Sequence, residues 1–237
     1  MPCLSWFLAA ITRLIQFKLQ EILSKKAITK MQTQEEQGNK KQRQLNDKKL
    51  KKHNHSEYRK KILNEFTTAV GIDLSKARNL IQKLQCHKDP YLLAMISQTY
   101  YDESAFDEKG SPREFFEGRK LRMAEKYAIR AVDINFENTA ALWMLGKIRN
   151  AYGQKDLAIF LFKEIIRLGT KNVVTSYEGK DLDFAKMIVN DAKFQIYRIY
   201  HDLKMSELSR RYLAMYKDGL KKSIKTIFKP LKRFLMD

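Results

Sequence analysis

Apolar residues recur at helical spacing along most of the chain from Tyr58 to Tyr216, and turn-forming residues divide this pattern into segments. Residues three and four apart share one face of a helix, so each segment predicts an amphipathic helix with one buried stripe. The predicted helices are 58–70, 74–84, 90–102, 113–134, 139–152, 155–168, 182–203 and 205–216. Alternating runs rich in Val, Ile and Thr are missing between the turn signals. The pattern therefore favours an all-α fold.

The two ends of the chain differ from this middle part. Residues 1–27 predict an amphipathic helix whose apolar face fits either protein or a membrane surface. Residues 28–57 have almost no apolar period and are rich in lysine, which predicts a basic polar linker. Residues 218–237 predict a basic amphipathic helix that either caps the last helical pair or contacts an anionic membrane or acidic partner. The domain between these ends is predicted to be 58–217.

The segment 121–169 repeats at a spacing of 34 residues. This is the length of one unit in several helix–turn–helix arrays, in which each unit buries its apolar face only by stacking on its neighbours. The positions paired at this spacing are Ala124 with Ala158, Ala128 with Phe162, and Ala131 with Ile165.

The repeat resembles the tetratricopeptide repeat (TPR) family, as in bacterial TPR-containing proteins. In that family small residues allow two helices to approach closely, and large residues fill the space between units. The positions that carry the resemblance are Ala124, Ala131, Leu142, Leu145, Gly146, Gly153, Ala158 and Phe162. The chain departs from the family pattern at Arg149, Ile165 and Thr170, and residues 182–217 match it loosely. The resemblance implies a short TPR-like helical-repeat solenoid, preceded by an N-terminal helix and a basic linker and closed by a C-terminal capping helix.

Charge and cysteine content narrow the classes of partner and location. The 46 Lys and Arg residues against 27 Asp and Glu give a net charge of +19. Such a charge favours acidic proteins or peptides, nucleic acid or anionic lipid, without choosing among them. Cys3 and Cys86 cannot form a disulfide framework or a zinc site. We expect a cytoplasmic protein, with or without contact to the membrane surface.

Catalytic chemistry has no candidate constellation in this sequence. It contains no Gly-rich phosphate loop, nucleophile elbow or metal-spaced set of Cys and His residues. We therefore expect no enzymatic activity, no cofactor and no metal. The segment Tyr100–Pro112 inserts an acidic and aromatic stretch into the repeat. We interpret it as a loop that packs Phe106 on the solenoid and exposes its acids.

The TPR resemblance implies a binding role for the first helix of each unit. In that family peptides lie in a concave groove, where Arg and Lys side chains hold carboxylates. The candidates on the first helices are Gln98, Lys147, Arg149, Asn150 and Arg198, and ordinary exposed polar residues are the alternative for each. The leading hypothesis is a non-enzymatic adaptor or scaffold that binds an acidic protein or peptide. The alternative is a peripheral membrane- or nucleic-acid-associated protein that acts through its basic linker and termini.

Overall fold

The computed structural model describes residues 56–107 and 110–228. The chain divides into two compact units, 1–60 and 61–237, and the second contains nearly all the described residues. The predicted helix over 1–27 and almost all of the predicted linker over 28–57 lie outside the described residues. The helices are α1 (56–70), α2 (Leu74–Gln82), α3 (Pro90–Ala105), α4 (Gly118–Ile134), α5 (Thr139–Ala151), α6 (Lys155–Ser176), α7 (Leu182–Asp202) and α8 (Ser206–Lys221). The all-α prediction is confirmed for the described part of the chain.

Polar side chains at the helix starts account for several of these boundaries. Asp89 accepts hydrogen bonds at 2.9 and 3.1 Å from two N–H groups in the first turn of α3, and Pro90 occupies the first helical position. Asp73, Asn138 and Asp181 cap α2, α5 and α7 in the same way. Each cap satisfies backbone donors that have no partner within the helix.

Four boundaries differ from the sequence prediction by three residues or more: the end of α3, the start of α4, and the ends of α6 and α8. Helix α4 begins at Gly118 rather than 113, because the preceding residues connect back to the end of α3. The Arg113 N–H, for example, donates to the Ala105 carbonyl at 2.8 Å. Helix α6 extends to Ser176 instead of ending at 168, with a kink at Gly169, whose φ is 70°. Glycine adopts this left-handed conformation at no steric cost, so the chain changes direction there and resumes helix.

Consecutive helices pack as antiparallel neighbours in three pairs: α3 with α4, α5 with α6, and α7 with α8. Neighbouring pairs also touch, through α3 with α5 and α6 with α7. One large core cluster runs through α3 to α8, and a second joins α1, α2 and α3. Helix α3 belongs to both, because Leu92 and Ile96 face the second cluster while Ala94 faces the first. The described part is thus a helical-repeat solenoid of the TPR type.

The residues that carry the repeat lie at close helix contacts. Phe162 is fully buried, and its ring lies so near the backbone of Gly146 that a Cβ there would be 3.0 Å from the ring. The other repeat positions in the helices are buried as well. They are Ala124, Ala131, Leu142, Leu145 and Ala158.

The third helical pair reproduces the turn of the second pair without its glycine. Gly153 joins α5 to α6 at a φ of 75°, and Lys204 joins α7 to α8 at a φ of 58°. In both turns the following residue donates its N–H to a carbonyl five residues earlier, from Gln154 to Arg149 and from Met205 to Tyr200. The loose match of 182–217 in sequence therefore conceals the same turn geometry.

The C-terminal end differs from the predicted helix over 218–237. Residues 218–221 complete α8, and 222–228 form a turn and a non-helical segment. Ser223 has a φ of 61°, a conformation that stops a helix. Residues 229–237 lie outside the described part. Among the described residues no helix is long and apolar enough to cross a membrane.

A methyl group at Gly146 tests the closest contact in the repeat. Gly146→Ala should lower the free energy of unfolding by about 1 kcal/mol, because overpacking against Phe162 outweighs the gain in helix propensity. Gly118→Ala is the matched control, since its methyl would meet only Arg122 Nη1 at 3.5 Å, and it should be neutral or stabilising. Urea denaturation of both variants measures the difference.

The double variant Gly146→Ala with Phe162→Leu identifies the cause. If the ring is the obstacle, the two costs should be less than additive, by roughly 0.5 kcal/mol or more. A stabilising Gly146→Ala, or strictly additive costs, would contradict a tight contact at this position.

Candidate functional site: the first-helix face

Three of the predicted site residues lie on successive first helices: Gln98 on α3, Lys147 on α5 and Arg198 on α7. They are 49 and 51 residues apart in the chain. Lys147 and Arg198 each precede the last residue of their helix by four positions. The three helices therefore present equivalent polar positions, which we call, together with the side chains around them, the first-helix face.

Tyr101 and Asp102 on α3 complete this face. The Lys147 Nζ lies 4.1 Å from the centroid of the Tyr101 ring. The Gln98 amide donates to both carboxylate oxygens of Asp102, at 2.6 and 2.7 Å. On its other side the Tyr101 ring packs against Phe116, with centroids 5.5 Å apart. The result is a cluster of one amide, one aromatic ring, one carboxylate and one ammonium group.

Burial changes the acid–base properties of this cluster. It lowers the pKa of Lys147, while the charge of Asp102 opposes that change. It raises the pKa of Asp102, against the effects of Lys147 and of the hydrogen bond from Gln98. Burial also raises the pKa of Tyr101 to about 12, with the nearby charge of Arg198 acting in the opposite direction. Each charged form has thus lost part of its hydration, and Lys147 remains only half-buried.

The other two predicted site residues are held away from this cluster. Arg149 Nη1 forms a 2.6 Å ion pair with Glu125 on α4 and donates to Gln154 at 2.9 Å. Two positions along a helix turn the side chain by roughly 200°, so Arg149 and Lys147 face opposite sides of α5. Asn150 accepts a hydrogen bond from Lys155 at 2.8 Å, at the turn into α6.

Tyr101 and Asp102 were overlooked because they open the segment interpreted as an insertion. Helix α3 continues to Ala105, so both residues follow Gln98 at the i+3 and i+4 positions of one helix face. The predicted helix 90–102 already contained both residues, so including the i+3 and i+4 neighbours of Gln98 is the step that would have found them.

The insertion is attached to α2 by a network that the sequence did not predict. Glu103 forms 2.6 Å ion pairs with both Arg78 and Lys120, and its side chain is only 19% exposed. The Arg78 guanidinium also lies 4.2 Å above the Tyr100 ring. The interpretation that the insertion exposes its acids is therefore wrong for Glu103. Phe106, which was expected to pack on the solenoid, is 42% exposed.

The non-helical segment 222–228, which we call the C-terminal strap, lies against α7. Asp191 is fully buried and accepts hydrogen bonds from the Thr226 hydroxyl at 2.6 Å and the Ile227 N–H at 2.8 Å. The Phe228 ring packs on Phe194 with centroids 4.9 Å apart. Asp191, Phe194 and Arg198 are spaced i, i+3 and i+7, so they share one side of α7. The strap therefore covers the α7 surface beside the exposed Arg198.

Metal chemistry has no cluster to support it in residues 56–107 and 110–228. No group of three or more His, Cys, Asp or Glu side chains there is placed to hold an ion. His53 and His55 lie outside this range.

Comparisons with known proteins concern only the fold. No family model and no curated protein matches the chain. Among solved structures, the crystal structure of MamA is similar to this chain, with a TM-score of 0.41 and 14% sequence identity. The similarity covers 68% of this chain and 78% of the MamA chain.

The strap predicts a pH dependence of stability at Asp191. Burial raises the pKa of this carboxyl to about 6, against a usual value of 3.8. Because the folded state binds the proton more tightly, Asp191 should stabilise the fold as the pH falls from 7 to 5. Asp191→Asn removes this contribution, so the free energy of unfolding of the wild type should rise relative to that of the variant by about 1–2 kcal/mol.

Urea denaturation at pH 7 and pH 5 measures this difference. Asp183→Asn is the control on the same helix, since the Asp183 side chain is 81% exposed. An equal pH dependence in all three proteins would contradict the buried environment of Asp191.

Proposed function

We propose that this protein is a non-enzymatic scaffold that binds an acidic segment of a partner protein through the first-helix face. The observation that carries the proposal is the half-buried Lys147 ammonium group. It lies against the Tyr101 ring, and the charge of Arg198 lowers the pKa of the same Tyr101. An interaction surface of this kind suits a solenoid of helical pairs, because stacked pairs present one continuous row of first helices.

The dehydration of Lys147 favours a carboxylate ligand. Removing water from an ammonium group is unfavourable, and the fold has already removed part of that hydration. A carboxylate that reaches Lys147 therefore gains an interaction in a region of reduced dielectric, where charges attract more strongly than at an open surface. The two oxygens of Asp102 accept hydrogen bonds from Gln98, and Asp102 acts on Lys147 through its charge.

Arg198 and the aromatic rings provide the second part of the recognition. Arg198 is exposed on α7, and a guanidinium group can bind a carboxylate through two parallel hydrogen bonds. Tyr101 and Phe116 form an apolar wall on α3 and the segment before α4. We therefore propose a ligand segment that carries at least two acidic side chains and one apolar side chain.

Replacing the half-buried lysine tests the proposal. The probe is a labelled library of 12-residue peptides that vary in acidic and apolar content, bound to the full chain. The wild type should select acidic peptides. Lys147→Met should weaken the selected peptides about tenfold, because it removes a charge-assisted contact.

Lys163→Met is the matched control, because Lys163 is an exposed lysine on α6. It should leave the affinity within about twofold. Unfolding of both variants in urea checks that each remains folded. If acidic peptides bind all three proteins equally, the basic linker or termini are the binding elements, and the proposal fails.

A further inference from the structure

A cleft of about 930 Å³ opens at the edge of the solenoid; Asp102 lines it and Lys147 does not. One wall is the turn between α1 and α2, residues 70–75, and the other is the segment from the end of α3 to the first turn of α4. We call it the edge cleft. A volume of several hundred Å³ is sufficient for a few side chains of a bound segment.

The second wall is held in shape by its own hydrogen bonds. Phe106 and Pro112 form an isolated β-bridge, and the Asp107 carboxylate accepts from the Ser111 N–H at 2.8 Å. The Glu117 N–H donates to the Ser104 carbonyl at 2.9 Å. The described residues of this wall, 104–107 and 110–117, are held by these bonds, so they lose little conformational entropy when a ligand binds.

The edge cleft exposes apolar surface. Ile72 lies in the α1–α2 turn with 83% of its surface exposed, and Phe106 on the opposite wall is 42% exposed. Leu74 lies deeper and is half-buried. Single exposed apolar residues are common, but here two of them line the same cleft, which offers apolar surface to a bound side chain.

The charge of the edge cleft is opposite to that of the chain. Six Asp and Glu residues and two basic residues lie between positions 102 and 117, in a chain with a net charge of +19. Five carboxylates and two basic side chains line the cleft. Lys120 is paired with Glu103, and Arg113 Nε donates to the Phe106 carbonyl. The lining thus has three more acidic than basic side chains, five against two, and this excess attracts cations.

We propose that the edge cleft binds a lysine- or arginine-containing segment of another protein, with an apolar side chain placed against Ile72. Lys147, which carries the recognition of acidic segments, does not line the edge cleft, while Asp102 borders both surfaces. Charge complementarity determines the occupant. The carboxylates of the cleft would repel an acidic segment and attract a basic one. Most of the remaining surface is positively charged and would repel a basic segment.

Fluorescence anisotropy with two labelled peptides tests this inference on the full chain. One is a 12-residue amphipathic Lys/Leu peptide, and the other replaces every Lys with Glu. The wild type should bind the Lys/Leu peptide at the edge cleft. Ile72→Ser should weaken that binding about fivefold, by removing apolar contact. Ser75→Lys, which places a positive charge at an exposed position in the cleft wall, should weaken it about tenfold at low salt.

Two matched variants control for the type of substitution. Leu157→Ser removes a 51% exposed apolar side chain from α6, and Ser206→Lys adds a lysine at the exposed start of α8. Both should leave the affinity for the Lys/Leu peptide within about twofold. Ile72→Ser should leave the affinity for the acidic peptides of the scaffold test within about twofold, so failure of this inference is distinguishable from failure of the proposed scaffold function.

Three results would overturn the inference. One is that the wild type does not prefer the Lys/Leu peptide over the Glu/Leu peptide. Filling of the cleft by basic residues of the same chain would give this result too. Another is equal binding by wild type, Ile72→Ser and Ser75→Lys. The third is a dimer, measured by light scattering, that Ser75→Lys dissociates, since a second copy of this chain would then be the occupant.

Discussion

The closest approach of α5 and α6, where the Phe162 ring lies against the bare backbone of Gly146, is the constraint on which the repeat depends. A side chain at this position would push the helices of the pair apart. Buried alanines serve the same purpose where α4 meets its neighbours. Close pairs leave each first helix free to contact the next pair, and this arrangement brings polar groups from α3 and α5 together.

The placement of the candidate site follows from that packing. Lys147 reaches the ring of Tyr101 because α3 and α5 are direct neighbours. The same proximity removes water from the ammonium group and from the Asp102 carboxylate, so the packing that stabilises the fold also sets the pKa values at the surface. Arg149 belongs to the other side of the helix, where it contributes to the contact between α5 and α4.

Local signals in the sequence predicted most of the helices, while contacts distant in sequence were not predictable. Asp89 with Pro90, and Asn138, mark helix starts through their own side chains. The strap on α7 depends on hydrogen bonds across 35 and 36 residues, from Thr226 and Ile227 to Asp191. No periodicity encodes such a pairing, so residues 222–228 read as a continuation of a helix. For the candidate site, the position of each residue within the repeat pointed to Gln98, Lys147 and Arg198. It did not indicate which residues surround them.

The C-terminal strap has a consequence for the length of the solenoid. Stacked helical pairs add to one another through the surface that the last pair leaves open, and arrays with open ends can associate end to end. Here the strap places Phe228 on Phe194 of α7, and Thr226 against the Tyr216 hydroxyl of α8. A fourth pair, or the end of another molecule, would have to displace these contacts before it could stack. The strap thus occupies part of the surface of α7 and α8 on which a further pair would stack.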